Sequence, residues 1–283
     1  MELKLPFGMK DGKLVQVTDV EQGLKCGCVC PACGDSLVAR KGETNIPHFA
    51  HLNEIKCYGA VETALHLAAK DILDKYKTLR IPPVTATENI NDEFDDTLLL
   101  HDAQLIKFDK VYLEKRFDNF IPDIICVKDG FQLIIEIAVT HFVDSTKKKK
   151  IIESKTSAIE INLSGIRRTV TFEDLLEAIY VTLDNKKWIY NRKREIVVGK
   201  IRDIIKKLVV SKKNFKKFVL CPIKSKGENK GQFVTTDKCD DCKYCCSYED
   251  NPLNSDEFII CAGHAREQYD ELFKKYNLKH FKD

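Results

Sequence analysis

The chain has 283 residues and a mass of 32.4 kDa, which exceeds one average domain and predicts about two. Its 46 basic and 43 acidic side chains nearly cancel, and 43% of its residues are apolar, so the composition excludes wholesale disorder. No apolar run reaches the ~18–20 residues of a membrane span, and the amino terminus lacks the apolar region of a signal peptide. We therefore expect a soluble, cytoplasmic protein without a membrane partner.

The twelve cysteines form two groups. One group lies between Cys26 and Cys57 and the other between Cys221 and Cys261, while Cys126 stands alone. Both groups contain Cys-x-x-Cys pairs, and secreted disulfide scaffolds are usually short and carry their bridges throughout. The pattern favours metal binding near both ends of the chain.

The first predicted elements are a hairpin over residues 5–19, with its turn at 10–13, and a helix from Val61 to Tyr76. Pro82 and Pro83 end that segment. Residues 81–106 contain no Lys or Arg and several acidic residues, which predicts an acidic surface loop.

The middle of the chain predicts a mixed sheet with helices on its faces. Asp144 and Thr171 are suited to cap two of the helices. The predicted elements are strands at 111–117, 121–127, 131–139 and 158–163, and helices at 144–155 and 172–183.

Charge changes abruptly after Asn185. Residues 186–226 hold fifteen Lys or Arg but only Glu195 and Asp203 as acids. This is either a solvated helix face or a surface that binds phosphates.

Asp129-Gly130 between two apolar runs is a strong signal for a two-residue hairpin loop. With Lys128 facing Phe131, Asp123 falls directly opposite Glu136. Two opposed carboxylates in buried strands destabilise a sheet unless something compensates for them. A magnesium or manganese ion is the simplest candidate, and a protonated carboxylate or a partner such as Arg116 is the alternative.

On the preceding helix, Glu62, His66 and Lys70 lie one turn apart on one face.

Over roughly residues 24–195, the chain resembles the competence protein CoiA-like family of the PD-(D/E)XK nuclease superfamily. The segments that carry the resemblance are Cys30–Cys33, His48–His51, Glu62–His66 with Ala69-Lys70, Pro122–Ile124, Ile135–Ile137, Ile159–Ser164 and Trp188–Asn191.

The resemblance implies an α/β fold with a restriction-endonuclease-like core, and metal-dependent cleavage of phosphodiester bonds in DNA. Asp123 and Glu136 would bind magnesium or manganese, the carbonyl of Ile137 would assist, and Glu62 would be a helper carboxylate. The ion would lower the pKa of a water molecule and stabilise charge on the phosphate.

One position departs from the superfamily pattern. Ala138 stands where the pattern has lysine. We expect Lys147, from the following helix, to supply the missing charge, with Lys148 and His141 as competitors. An inactive nuclease that still binds DNA is the alternative.

The amino-terminal group offers Cys30, Cys33, His48, His51 and Cys57 as zinc ligands, of which a tetrahedral site needs four. The sequence does not say which four, and reduced, buried cysteines are the alternative to a metal site.

The carboxy-terminal group offers Cys221, Cys239, Cys242 and Cys261 for a second zinc ion. Cys245, Cys246 and His264 are substitutes for these ligands. Cys239, Cys242 and Cys245 also have the spacing of an iron–sulfur site, which is the alternative to zinc.

We therefore expect an amino-terminal zinc module over residues 1–58, a nuclease-like core over 59–195, and a basic segment over 196–283 that acts as a linker to a second zinc module. The expected function is a magnesium-dependent deoxyribonuclease of recombination or foreign-DNA defence, with DNA and a helicase or similar protein as partners. The alternative is a catalytically inactive, zinc-dependent DNA-binding or assembly protein.

Overall fold

The computed structural model describes residues 4–42, 46–53, 57–87, 97–166, 170–213, 215–225, 231–250 and 257–278. Within these ranges the chain is a mixed α/β protein. None of the helices described is long and apolar enough to span a membrane.

The helices of the described chain are α1 (Ala60–Tyr76), α2 (Ser145–Glu153), α3 (Phe172–Tyr180), α4 (Arg192–Ile204), α5 (Asp237–Asp240) and α6 (Arg266–Tyr276). The strands are β1 (Phe7–Lys10), β2 (Lys13–Gln16), β3 (Leu37–Arg40), β4 (His48–His51), β5 (Thr78–Ile81), β6 (Val84–Thr87), β7 (Thr97–His101), β8 (Gln104–Lys107), β9 (Lys110–Leu113), β10 (Ile124–Lys128), β11 (Phe131–Ala138), β12 (Ser157–Asn162), β13 (Lys186–Tyr190), β14 (Lys206–Lys213), β15 (Lys216–Ser225), β16 (Gly231–Thr235), β17 (Cys245–Asp250) and β18 (Glu257–Cys261).

The chain divides into two compact units. Unit one comprises residues 1–82 and 103–191, and unit two comprises 83–102 and 192–283. The end of unit one lies close to the boundary predicted near 195. The predicted amino-terminal module at 1–58 falls inside unit one, together with the predicted core.

Unit one is built on a five-stranded mixed sheet with the order β13-β12-β11-β10-β9. Strands β11 and β12 run parallel, and the other neighbouring pairs are antiparallel. Side chains alternate between the two faces along β11. Ile135 therefore packs in one core with α1, while Ile134 packs on the other face with Ile151 of α2. The mixed sheet flanked by helices is confirmed.

The helices of unit one begin where their capping residues predict. The Asp144 side chain accepts a hydrogen bond from the backbone N–H of Lys147 at the start of α2. Thr171 and Asp174 form a reciprocal capping box at the start of α3. These caps satisfy backbone N–H groups that a helix leaves unpaired, and they fix the direction of each first turn.

The hairpins β1–β2 and β3–β4 share their core with α1. Phe7, Leu37 and Phe49 are each at most 2% exposed and belong to the same apolar cluster as Leu65 and Ile72. The amino-terminal segment therefore packs directly against the main helix of unit one.

Unit two contains a second five-stranded sheet, with the order β16-β15-β14-β18-β17. All of its neighbouring strands are antiparallel. Its core includes Val219, Val234 and Ile259, and Ile260 and Tyr269 form a neighbouring cluster.

Two predicted features are corrected by this fold. The interpretation of residues 81–106 as an acidic loop is wrong for the described part, which forms β6, β7 and β8; residues 88–96 lie outside the described residues. The basic segment is not a linker, because α4, β14 and β15 are regular elements of unit two. In both cases net charge indicated solvent exposure and carried no information about the backbone.

Candidate carboxylate site and metal centre

The β10–β11 hairpin sets the register of the two predicted carboxylates. Asp129 and Gly130 have φ angles of 48° and 80°, as the two-residue turn requires. Ile124 pairs with Ile135, so Asp123, one residue before β10, lies opposite Glu136. The predicted register is confirmed.

Asp123 is held as a carboxylate by donors from two elements. His66 Nε2 of α1 lies 3.0 Å from Asp123 Oδ2, and the backbone N–H of Ile137 donates to the same oxygen over 2.8 Å. Lys70 Nζ lies 3.9 Å from Asp123 Oδ1. Burial alone would raise the pKa of Asp123, but His66, the Ile137 amide and Lys70 together lower it to about 2. The group is therefore ionised at neutral pH.

Glu136 is in the opposite situation. It is 2% exposed, and burial followed by the charge of Asp123 raises its pKa to about 7. Its Oε2 accepts a hydrogen bond from Lys147 Nζ over 2.7 Å. Its Oε1 is buried and has no hydrogen-bond partner within the described part of the chain. One oxygen of this carboxylate therefore lacks the partner that buried polar atoms normally have.

Lys147 brings a positive charge to Glu136, whereas Ala138 brings none. Ala138 is 1% exposed and pairs with Asn162 inside the sheet, so it presents no charge. Asp144 accepts from the backbone N–H of Lys147 over 2.8 Å, and this cap orients the first turn of α2. The side chain of Lys147 then reaches Glu136, whereas Lys148 is exposed.

Glu62 and His141 form a second, more exposed cluster. His141 Nδ1 lies 3.1 Å from Glu62 Oε1, and Thr140 Oγ1 donates to Glu62 Oε2. Burial opposes the shift, but Thr140 and His141 lower the pKa of Glu62. Because Glu62, His66 and Lys70 share one face of α1, this helix contributes both to the cluster and to the Asp123 environment.

Sequence reasoning did not include four further residues in the site. His66 and Lys70 contact Asp123, Glu114 accepts a hydrogen bond from Lys70 over 2.7 Å, and Thr140 bonds Glu62. The helical spacing of His66 and Lys70 from Glu62 was a usable signal, since Lys70 is only 4% exposed. No local sequence pattern indicated Glu114, which lies directly after the end of β9.

Four of the five predicted amino-terminal ligands form a compact group. The ligand atoms of Cys30, Cys33, His51 and Cys57 all lie within 4.8 Å of one another. Cys33 Sγ is 3.3 Å from His51 Nε2, and the backbone N–H of Ala32 donates to Cys30 Sγ over 3.4 Å. The group can hold a metal such as zinc, whose tetrahedral sites take this ligand set.

His48, the fifth predicted ligand, does not join this group. Its Nδ1 lies 2.8 Å from the carbonyl oxygen of Ile46. The two histidines lie on β4, where residues three apart point to opposite faces of the strand. The prediction offered both histidines as ligands because they lie only three residues apart.

The predicted carboxy-terminal ligands are also brought together. Cys221, Cys239, Cys242 and Cys261 line one cavity of about 280 Å³ in unit two, and Cys245 lines it with them. The substitutes Cys246 and His264 are not among its lining residues.

Comparison with known proteins bears on the amino-terminal part of the chain. Residues 16–59 match the family model described as competence protein CoiA, N-terminal domain. This segment is similar to the CoiA N-terminal domain. The match supports the resemblance of the chain to the competence protein CoiA-like family, and the four residues of the metal group all lie inside it.

The CoiA match ends just before α1, so the PD-(D/E)XK part of the resemblance lies outside it and stays a prediction. Neither a curated protein nor a solved structure matches the chain.

Proposed function

We propose that unit one is a magnesium- or manganese-dependent nuclease that hydrolyses phosphodiester bonds in DNA inside the cell. The observation that carries the proposal is the Asp123–Glu136 pair. One carboxylate is held ionised, and the other has a buried oxygen without a partner among the described residues.

The donor set fits a divalent cation with a preference for oxygen ligands. Asp123 and Glu136 project from one rigid hairpin, and carboxylate oxygens are typical ligands of magnesium and manganese. A cation would occupy the unpartnered side of Glu136 and compensate the repulsion that raises its pKa. When bound, such an ion lowers the pKa of water and stabilises charge on a phosphate.

The remaining residues position these carboxylates. His66 and the Ile137 amide fix Asp123 Oδ2 and so direct Oδ1 toward the neighbourhood of Lys70. Lys147 donates to Glu136 and brings a positive charge to the position where a phosphate would be attacked. This supports Lys147 as the replacement for the lysine missing at Ala138.

Glu62 lies on the same face of α1 as His66, which contacts Asp123, and it pairs with His141. His141 is 86% exposed on its side chain, which leaves it accessible to a substrate. Glu62 orients its ring through Nδ1, so the imidazole is suited to exchange a proton with a leaving group.

The test is an assay of the purified full chain on single-stranded, duplex and branched DNA with magnesium or manganese. Asp123→Asn and Glu136→Gln should abolish cleavage while DNA binding persists. The matched control is Asp129→Asn, an exposed acid in the turn of the same hairpin, which should cleave normally. Equal cleavage by wild type and both site variants would refute the proposal.

A second candidate is a DNA-binding or assembly protein without catalysis. The observation that favours it is Ala138, where the superfamily pattern has lysine. Under this alternative, wild type binds DNA and cleaves none of the substrates with either metal. A helicase or another recombination or defence protein as partner rests on the family resemblance alone.

A further inference from the structure

Unit two gathers four cysteines that the proposed nuclease does not use. Cys221 comes from β15, Cys239 from α5, Cys242 from the turn after α5, and Cys261 from the end of β18. All four line the same cavity of about 280 Å³, whose other walls include Leu208, Val219 and Ile259. Thiols from three separate elements therefore face one largely apolar space.

The topology of the sheet explains this convergence. β14 pairs with β15 on one side and with β18 on the other. Only β14 therefore separates β15, which carries Cys221, from β18, which carries Cys261. The Cys239–Cys242 turn is held by a hydrogen bond from the Cys242 N–H to the Cys239 carbonyl oxygen over 3.1 Å. Both cysteines of this turn line the cavity.

The sulfur atoms of Cys261 and Cys30 each accept a hydrogen bond from a backbone N–H group. The Gly263 N–H donates to Cys261 Sγ over 3.2 Å, and the Ala32 N–H donates to Cys30 Sγ over 3.4 Å. In both groups the donor lies two residues after the cysteine. Such a bond favours the thiolate, which is the form of cysteine that binds metals.

Glycine is needed for this approach. A Cβ on Gly263 would lie 2.8 Å from Ile223 Cγ1 and 3.2 Å from Cys261 Sγ. Since 2.8 Å is closer than carbon atoms normally approach, a larger residue at this position would require the Ile223 side chain to shift. The backbone of Gly263 therefore lies close both to Ile223 and to this sulfur atom.

Three of the four cysteines also share one apolar cluster. Cys221 and Cys239 pack against Cys261, together with Val219 and Ile259. Thiolate ligands select soft metals such as zinc or iron.

We propose that Cys221, Cys239, Cys242 and Cys261 bind a second metal centre through four thiolates. The centre ties α5 and β15 to the end of β18 and stabilises unit two. Each thiol releases its proton as it becomes a ligand. Four thiolates can bind either one zinc ion or an iron–sulfur cluster, so the experiment distinguishes these two kinds of metal centre. The inference goes beyond the proposed nuclease function and does not depend on it.

The first experiment measures zinc, iron and acid-labile sulfide in the full chain, purified without oxygen. Wild type should carry one metal centre more than Cys239→Ser and Cys242→Ser. The matched control is Cys246→Ser, since Cys246 packs in a different cluster, with Ile260 and Tyr269. It should retain the full metal content. Iron with sulfide identifies a cluster, and zinc alone identifies a zinc site.

The proposal is overturned if wild type holds no metal, or if Cys239→Ser and Cys242→Ser keep the wild-type metal content. Because misfolding of these variants would also release metal, wild type is also titrated with a mercurial that blocks thiols. We expect metal to leave in two separate phases, one for each group. Release of a single centre in one phase would contradict the second site.

Discussion

Glu136 combines three properties that rarely coincide in one side chain. It is 2% exposed, its pKa is about 7, and one of its oxygens has no partner among the residues described. A buried, poorly satisfied carboxylate destabilises the fold, and chains usually keep such a residue for its chemistry. The stability of the protein should therefore report on this residue.

Replacing Glu136 with Gln should stabilise the metal-free protein at alkaline pH. The pKa of Glu136 is about 7 in the folded chain and about 4.3 in the unfolded chain, so the folded state binds more protons between these values. Stability therefore falls as pH rises through this window, and the full penalty is present above it. At about 1.4 kcal/mol per pKa unit, the gain at pH ~8 is at most about 3–4 kcal/mol.

Urea unfolding in the presence of a chelator, at pH ~5 and ~8, measures this effect. The gain should shrink toward acid pH, and magnesium should stabilise wild type but not Glu136→Gln. Glu153→Gln serves as the control, since Glu153 is 58% exposed on its side chain. A Glu136→Gln variant less stable than wild type at pH ~8 would contradict the assignment.

Lys147→Ala should lower the rate of DNA cleavage by about 10²–10³-fold, the typical cost of losing one charged donor at a reacting group. The substrate affinity should change much less, because the contact that Lys147 makes is with Glu136 of the proposed site. Lys148→Ala is the control, because this neighbour is exposed and points elsewhere. Single-turnover cleavage of labelled DNA separates the two effects. Equal loss in both variants would show a general charge effect.

The position of Asp123 opposite Glu136 could be predicted from the sequence alone. The opposition of Asp123 and Glu136 followed from the Asp129-Gly130 turn, because a two-residue loop fixes the register of both strands. The contact between Glu114 and Lys70 joins residues far apart in the chain. Such contacts depend on how helices pack on the sheet, and no local pattern encodes them.

The two histidines of the amino-terminal module, His48 and His51, point to opposite faces of strand β4. His51→Ala should lose the bound metal, since this ring belongs to the group with Cys30, Cys33 and Cys57. His48→Ala should keep it, because His48 bonds the Ile46 carbonyl instead. Metal analysis and thermal unfolding of both variants measure the effect. The loss should also lower the melting temperature, since Cys57 precedes α1 and the metal would tie the β3–β4 hairpin to this helix.

If both histidine variants lose the metal equally, the ligand set drawn from the structure is wrong. If neither does, the module holds no metal through His51. Wild type treated with a chelator gives the reference for the unloaded state.

The β14–β15 hairpin presents an aromatic ring among positive charges. Phe215 lies in its turn, is fully exposed and has a φ of 62°, an unfavourable angle for a bulky residue. Lys213 and Lys216 pair beside it across the two strands. An exposed ring next to lysines is suited to stack on a base of single-stranded DNA.

Phe215→Ala should therefore weaken binding of single-stranded DNA by about tenfold or more, since stacking contributes ~1–3 kcal/mol per base. Binding of duplex DNA, whose bases are already stacked, should change little. Phe233→Ala is the matched control, as this ring is 60% exposed on the neighbouring strand β16. Fluorescence anisotropy with both DNA forms gives the affinities. An unchanged affinity of Phe215→Ala for single strands would exclude the stacking role.

Elements with one dominant signal were predicted well, and elements in charged segments were not. The caps at Asp144 and Thr171 and the periodicity of α1 located three helices of unit one. β6, β7 and β14 were missed because charge determined the interpretation of their segments. Their strand character comes from pairing with partners such as β18, which the local sequence does not contain.

At the scale of the whole molecule, the net charge of +3 conceals an uneven distribution. The basic residues after Asn185 lie largely on α4, β14 and β15 of unit two, while the candidate carboxylate site lies in unit one. If unit two holds DNA, its affinity must come mainly from phosphate contacts, which release counterions. The dependence of binding on salt then counts those contacts.

Binding of a short duplex should weaken steeply between ~50 and ~200 mM salt, with a slope of about −0.9 for each phosphate contacted. Replacing Lys213 and Lys216 together by Gln should reduce the magnitude of that slope by about 2, since each lysine would release one contact. The matched control replaces Lys10 and Lys13, which also face each other across a hairpin but lie in unit one. Its slope should equal that of wild type. A wild-type affinity that is independent of salt would mean that the basic surface of unit two does not bind the DNA backbone.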